Sequence, residues 1–84
     1  MTRILYFARL RQIIGKGEEE IAIPAGVATV SALIDFLKGR GEAYESAFAD
    51  SRIVRAALDQ THAQLDAEIA GVREIAFFPP VTGG

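Results

Sequence analysis

The residues of this 84-residue chain with the most chemical promise are its last two, Gly83-Gly84, set behind Pro79-Pro80-Val81-Thr82. Two glycines without Cβ atoms pass through a narrow channel and leave a terminal carbonyl open to attack. The prolines stiffen the approach in an extended conformation, and from Pro79 to Gly84 such a chain reaches up to roughly 20 Å. This describes a carboxylate built for presentation to another protein. A frayed glycine-rich terminus with no task is the competing reading, and the two glycines by themselves leave both open.

Side-chain chemistry is sparse by comparison. The absence of cysteine excludes disulfides, cysteine zinc sites, thiolate nucleophiles and any persulfide carried on a side chain. The single histidine, His62, leaves little metal chemistry. A serine triad would depend on that one imidazole, in a domain too small to wall a deep pocket. Nine basic against eleven acidic residues give a net charge of −2, which argues against a surface that tracks nucleic-acid phosphates. The longest apolar stretches fall short of a bilayer span, and Arg9 and Arg11 interrupt the region where a signal peptide needs continuous apolar residues. The expectation is a soluble, cytoplasmic protein that engages no nucleic acid or membrane and binds no metal or cofactor itself.

Half the residues are apolar and 24% are charged, the composition of a chain that folds unaided. At this length folding removes roughly 60–65% of the accessible surface, which makes one domain with a thin core. Arg3 to Arg9 reads as a strand with both parities apolar, so it is either covered on both faces or keeps one face for another purpose. Leu10 to Ile14 is a short helical or irregular link, followed by a Gly15-Lys16-Gly17 turn. Glu19 to Ile23 alternates as a second strand, ended by Pro24-Ala25-Gly26, and Glu18-Glu19-Glu20 is read as a solvated strand edge rather than an acidic docking site.

Thr29 is a candidate N-cap, and Val30, Leu33, Ile34 and Leu37 form one buried helical stripe stopped by Gly39 and Gly41. Glu42 to Ala49, with Tyr44 and Phe48 four apart, predicts a short second helix, and Asp50-Ser51 a turn. Ile53 to Leu58 is a strand with Val54, Ala56 and Leu58 on one face and Arg55 on the other, a short strand is possible near Gln64-Leu65, and Arg73 to Phe78 is the last strand, ended by Pro79-Pro80. One main helix on one mixed sheet is an α+β roll, and the compact form at this length is the β-grasp fold familiar from ubiquitin. Periodicity alone does not separate it from other small α+β folds. The domain spans 1–80 and the tail 81–84.

The ending Ala76-Phe77-Phe78-Pro79-Pro80-Val81-Thr82-Gly83-Gly84 resembles the closing signature of a family, the small subunits of molybdopterin synthase, which are ubiquitin-like sulfur carriers. Leu5-Tyr6-Phe7-Ala8 with Leu10-Arg11 and Gly15 is similar to its opening signature. The Thr29-Val30 helix start and Leu58-Asp59-Gln60 also fit, so the resemblance covers the whole chain. There are two departures: Gly71-Val72-Arg73-Glu74 stands where a Gly-Asp pair is usual, and Asp59 where asparagine is common.

The resemblance implies that an ATP-dependent activating enzyme adenylates Gly84, that a persulfide donor replaces AMP to leave a terminal thiocarboxylate, and that Gly83-Gly84 delivers this sulfur to cyclic pyranopterin monophosphate. The large synthase subunit would hold the pterin and the catalytic side chains, in a heterotetramer, and two transfers would build the dithiolene of molybdopterin. It also implies that Phe7, Arg11, His62, Phe78, Pro79, Pro80, Val81 and Thr82 bind the partner. Strand parity allows this: with Ile4, Tyr6, Ile75 and Phe77 toward the helix, Leu5, Phe7, Ala76 and Phe78 form an outer apolar face of the kind that marks interfaces. The opposite register would bury Phe7 and Phe78, but the narrow helical stripe covers only one sheet face. For Arg11, pairing with a partner carboxylate and simple solvation are both open. Alternatives of function are a sister carrier for thiamine or tRNA thiolation, a protein modifier joined through Gly84, and a β-grasp binding module with no reactive end.

Overall fold

The computed structural model describes residues 1–50 and 53–80. Its elements are β1 (Thr2–Tyr6), α1 (Ala8–Ile14), β2 (Glu18–Ile21), α2 (Val30–Lys38), α3 (Glu42–Ala47), β3 (Arg55–Leu58), β4 (Thr61–Ala63) and β5 (Glu74–Phe78). The strands form one mixed sheet in the order β2-β1-β5-β3-β4, with β1 and β5 parallel at its centre and the other pairs antiparallel. This is the expected α+β, β-grasp roll. Val81 to Gly84, and with them the expected tail, lie outside the described residues, as does Ser51 of the expected turn.

The core follows the predicted parity. Ile4, Tyr6, Ile75 and Phe77 are buried from the sheet, and Val30, Leu33, Ile34 and Leu37 from α2. The N-cap is in place, since the Thr29 hydroxyl accepts from the Ala32 N–H at 3.1 Å. Phe48 caps α3 and is fully buried, with ring centroids 6.4 Å from Tyr6 and 5.1 Å from Phe77 in edge-on contacts. Such pairs add to burial by satisfying the ring quadrupoles.

Several boundaries differ from the sequence expectation, each for a local reason. The first strand ends at Tyr6 rather than Arg9, because Ala8 adopts a left-handed backbone (φ 51°) and α1 begins at once. The second ends at Ile21, leaving Ile23 half-buried beyond it. The third begins at Arg55, and Ile53 is exposed. The short strand is Thr61–Ala63 rather than Gln64-Leu65: Asp59 (φ 47°) and Gln60 (φ 71°) make a two-residue hairpin turn, so pairing resumes immediately. The carbonyls of Leu65 and Ala67 then turn to α2, accepting from Ser31 and Val30 N–H at 2.8 and 3.0 Å.

The reading of the acidic run as a solvated edge holds for Glu18 and Glu20 and fails at Glu19. β2 is an edge strand, but alternation turns Glu19 inward with Ile21, while Glu18 and Glu20 stay exposed. The hydroxyls of Tyr6 and Tyr44 both donate to its Oε2 at 2.7 Å, and Lys16 and Arg40 each approach Oε1 at 3.4 Å. Four segments thus meet on one carboxylate. Partial burial alone would raise its pKa, but the tyrosine hydrogen bonds and the two cations outweigh this and hold it below the usual glutamate value. Burial, then the bond and charge of Glu19, push the Tyr6 hydroxyl well up.

Candidate functional site

The sheet face away from the helices carries a short apolar field at the end where β5 leaves. Leu5, Ala76, Ala57 and His62 lie side by side across β1, β5, β3 and β4. One level toward the exit stand Phe7, Phe78 and Arg55, with Arg55 paired to Phe78 and the Phe7 N–H donating to the Phe77 carbonyl at 3.1 Å. Phe7 is 47% exposed, Leu5, Ala57 and Phe78 are half-buried, and Ala76 is covered because it is small and lies on the middle strand. The exposed Phe7 ring and the half-buried Phe78 ring stand on this face, an apolar field of the kind found at interfaces.

The expected site residues that the structure describes stand on different flanks of this field. The His62 ring meets Phe78 edge-on at 5.3 Å, on the β4 flank of the field. Pro79 and Pro80 follow Phe78 half-buried at the exit. Arg11 instead lies on the β2 flank, its guanidinium against Gly17, where a Cβ would come within 3.2 Å of Cζ. Val81, Thr82, Gly83 and Gly84 fall outside the described residues. Sequence reading passed over Ala57, although the alternation of Arg55 with Val54 and Ala56 already places position 57 on this face.

The two departures from the family pattern lie in separate turns that hydrogen bonds join. The Asp59 carboxylate accepts from the N–H groups of Arg73 and Glu74 at 3.1 and 3.0 Å, and the Glu74 carbonyl accepts from Asp59 N–H at 2.8 Å. Asp59 thereby fixes where β5 begins, and Gly71 takes the left-handed conformation (φ 77°) that its own turn requires. Among the described residues, no cluster of side chains could hold a metal ion, and no helix is long and apolar enough to cross a membrane.

Comparison with known proteins agrees with this geometry. The model of the ThiS family matches residues 4–84. The chain is 36% identical to the molybdopterin synthase sulfur carrier subunit of Escherichia coli K12 and 34% identical to that of Haemophilus influenzae, each over 84 residues and the full length of both chains. Among solved structures it is similar to SAMP1 from Haloferax volcanii, with a TM-score of 0.75 and 28% identity over 99% of this chain and 98% of that one. It is also similar to a putative molybdopterin converting factor subunit 1 from Pyrococcus furiosus, with a TM-score of 0.73 and 32% identity over 95% and 97%. A family match that runs through the diglycine, joined to a β-grasp sheet with an open aromatic face at its exit, leads to one conclusion: the chain belongs to the ThiS family.

Proposed function

We propose that this chain is the sulfur carrier subunit of a molybdopterin synthase and works in the cytoplasm. The observation that carries the proposal is its end-to-end similarity to two carriers of that name. An α-carboxylate has a pKa of roughly 3.3–3.7 and is a poor acyl donor when ionised. An ATP-dependent activating enzyme therefore joins Gly84 to AMP with release of pyrophosphate. The terminal sulfur of a persulfide displaces AMP, and a thiol then cleaves the S–S bond to leave the thiocarboxylate. In the large subunit this soft nucleophile passes its sulfur to cyclic pyranopterin monophosphate. The chain contributes the reacting atom at Gly84, the slender Gly83 behind it, and the docking contacts of Phe7, His62, Phe78, Pro79, Pro80, Val81 and Thr82; Arg11 adds a charge on the β2 flank.

Intact-mass measurement of the purified chain, incubated with activating enzyme, ATP and persulfide donor, tests the chemistry. The expected product has one terminal oxygen replaced by sulfur. An unchanged mass, or a product in which Gly84 is joined to lysines of other proteins, overturns it; the second result would make the chain a modifier, the word in the name of a similar Haloferax volcanii structure, small archaeal modifier protein 1.

Docking through the open face makes a separate prediction. Phe7→Ala and Phe78→Ala should each weaken binding to the large subunit by at least about tenfold, the loss expected of an aromatic anchor. Melting should change little, because Phe7 is 47% exposed and Phe78 half-buried. Truncating a core phenylalanine costs about 3–5 kcal/mol, and a loss of that size in either variant would place its ring in the core.

A further inference from the structure

We propose that Ala8 is a positioning residue for partner docking: its left-handed backbone, working with Pro79, holds Phe7 on the open face at the register position beside Phe78. The inference rests on the docking role given to Phe7 above. In the parallel pairing of β1 with β5, the Phe7 N–H donates to the Phe77 carbonyl at 3.1 Å. The next rung of a parallel ladder would bring the N–H of residue 79 to the Phe7 carbonyl. Residue 79 is proline and has no N–H to give.

The Phe7 carbonyl is satisfied from its own strand's far side instead. It accepts from Leu10 N–H at 3.1 Å and Arg11 N–H at 3.5 Å, which makes Phe7 at once the last sheet-bonded residue and the cap of α1. Phe7 itself is extended (φ −120°, ψ 155°), so the whole reversal from strand to helix falls on Ala8 at φ 51°. A residue with a Cβ rarely adopts this conformation and persists in it only where the surroundings over-determine it. Here they do, from the sheet bond before it and the two helix bonds after it. Had β1 continued as a strand, Phe7 would keep an unsatisfied carbonyl opposite a proline. With the turn, its backbone is held on both sides and its ring is left 47% exposed.

Three substitutions at position 8 sort by their tolerance of the left-handed region: glycine and asparagine accept it, and the branched side chain of valine opposes it. Binding to the large subunit should stay within about twofold of the parent for Ala8→Gly and Ala8→Asn, and fall at least about tenfold for Ala8→Val. In a Phe7→Ala background, Ala8→Val should cost almost nothing more, because it acts through Phe7. Amide exchange at Ile4 and Phe77 checks that the sheet persists; if Ala8→Val does not fold, Ala8→Thr, branched at Cβ but polar at this exposed position, takes its place with the same loss expected. Equal affinities across the series, or a full additive loss in the Phe7→Ala background, would overturn the proposal. Unchanged binding by Phe7→Ala alone would instead overturn the docking role on which it rests.

Discussion

A chain shortened by Gly84, or extended by one residue past it, should melt with the parent protein and transfer no sulfur. The reacting atom is proposed to sit on the last residue, and one residue of extended chain moves it by about 3.3–3.6 Å. A displacement of even about 1 Å can cost a hundredfold in rate where two enzymes must align the same atom. Melting should not follow, because the buried side chains of β5 end at Phe77 and Phe78 is already half-buried. Thermal melts and single-turnover sulfur transfer to the pterin precursor, measured on the same samples, separate the two effects. Full transfer by the shortened chain would remove Gly84 from the chemistry, and a collapsed melt would give the tail a structural task.

Glu19→Ala should produce the largest loss of stability of any surface-strand substitution, about 2–4 kcal/mol, from the hydrogen bonds it removes and the buried Tyr6 hydroxyl it strands. At this size each kcal/mol lowers the melting temperature by roughly 4–8 °C. The tyrosines decide the magnitude. Lys16 and Arg40 are 46% and 37% exposed, and ion pairs of that kind contribute little. The same clamp sets a pH dependence. Folding lowers the Glu19 pKa, so the folded state binds that proton less readily than the unfolded chain. The contribution is whole above the ordinary glutamate value and is lost as pH falls through the lower folded one. Urea titrations across acidic pH should therefore show a steeper loss for the parent than for Glu19→Gln, and parallel curves would show that the carboxylate's charge does not matter.

Much of this architecture was legible because period-2 and period-3.6 patterns report which side of an element is covered. The alternation of Ile4, Tyr6, Ile75 and Phe77 placed Phe7 and Phe78 on the outer face, and the Val30–Leu37 stripe placed α2 on the inner one. Other features escaped because they depend on partners distant in sequence. Glu19 shared its parity with Ile21, which pointed inward, but glutamate is rarely buried and Tyr6 and Tyr44 gave no sign of converging on it. Strand β4 was misplaced because Asp59-Gln60 lacks the glycine that usually announces a tight hairpin. The end of β1 was hidden because alanine is a poor marker of a left-handed turn.

The parallel β1–β5 pair at the centre of the sheet joins residues near the two ends of the chain, Arg3 to Glu74 and Tyr6 to Phe77. The middle of this sheet is thus closed by its most sequence-distant contact, the kind formed late because the intervening chain must first be organised. The segment from β1 to β5 has to be in place before β5 can slot between β1 and β3. Until then the β1–β2 and β3–β4 ladders lack their shared neighbour, and Ile4 and Tyr6 have β2 on one side but no strand on the other. An incomplete chain therefore offers neither the assembled aromatic face nor a fixed exit for its C-terminal segment. The aromatic face and the exit of β5 are thus completed by one and the same contact, the last to close.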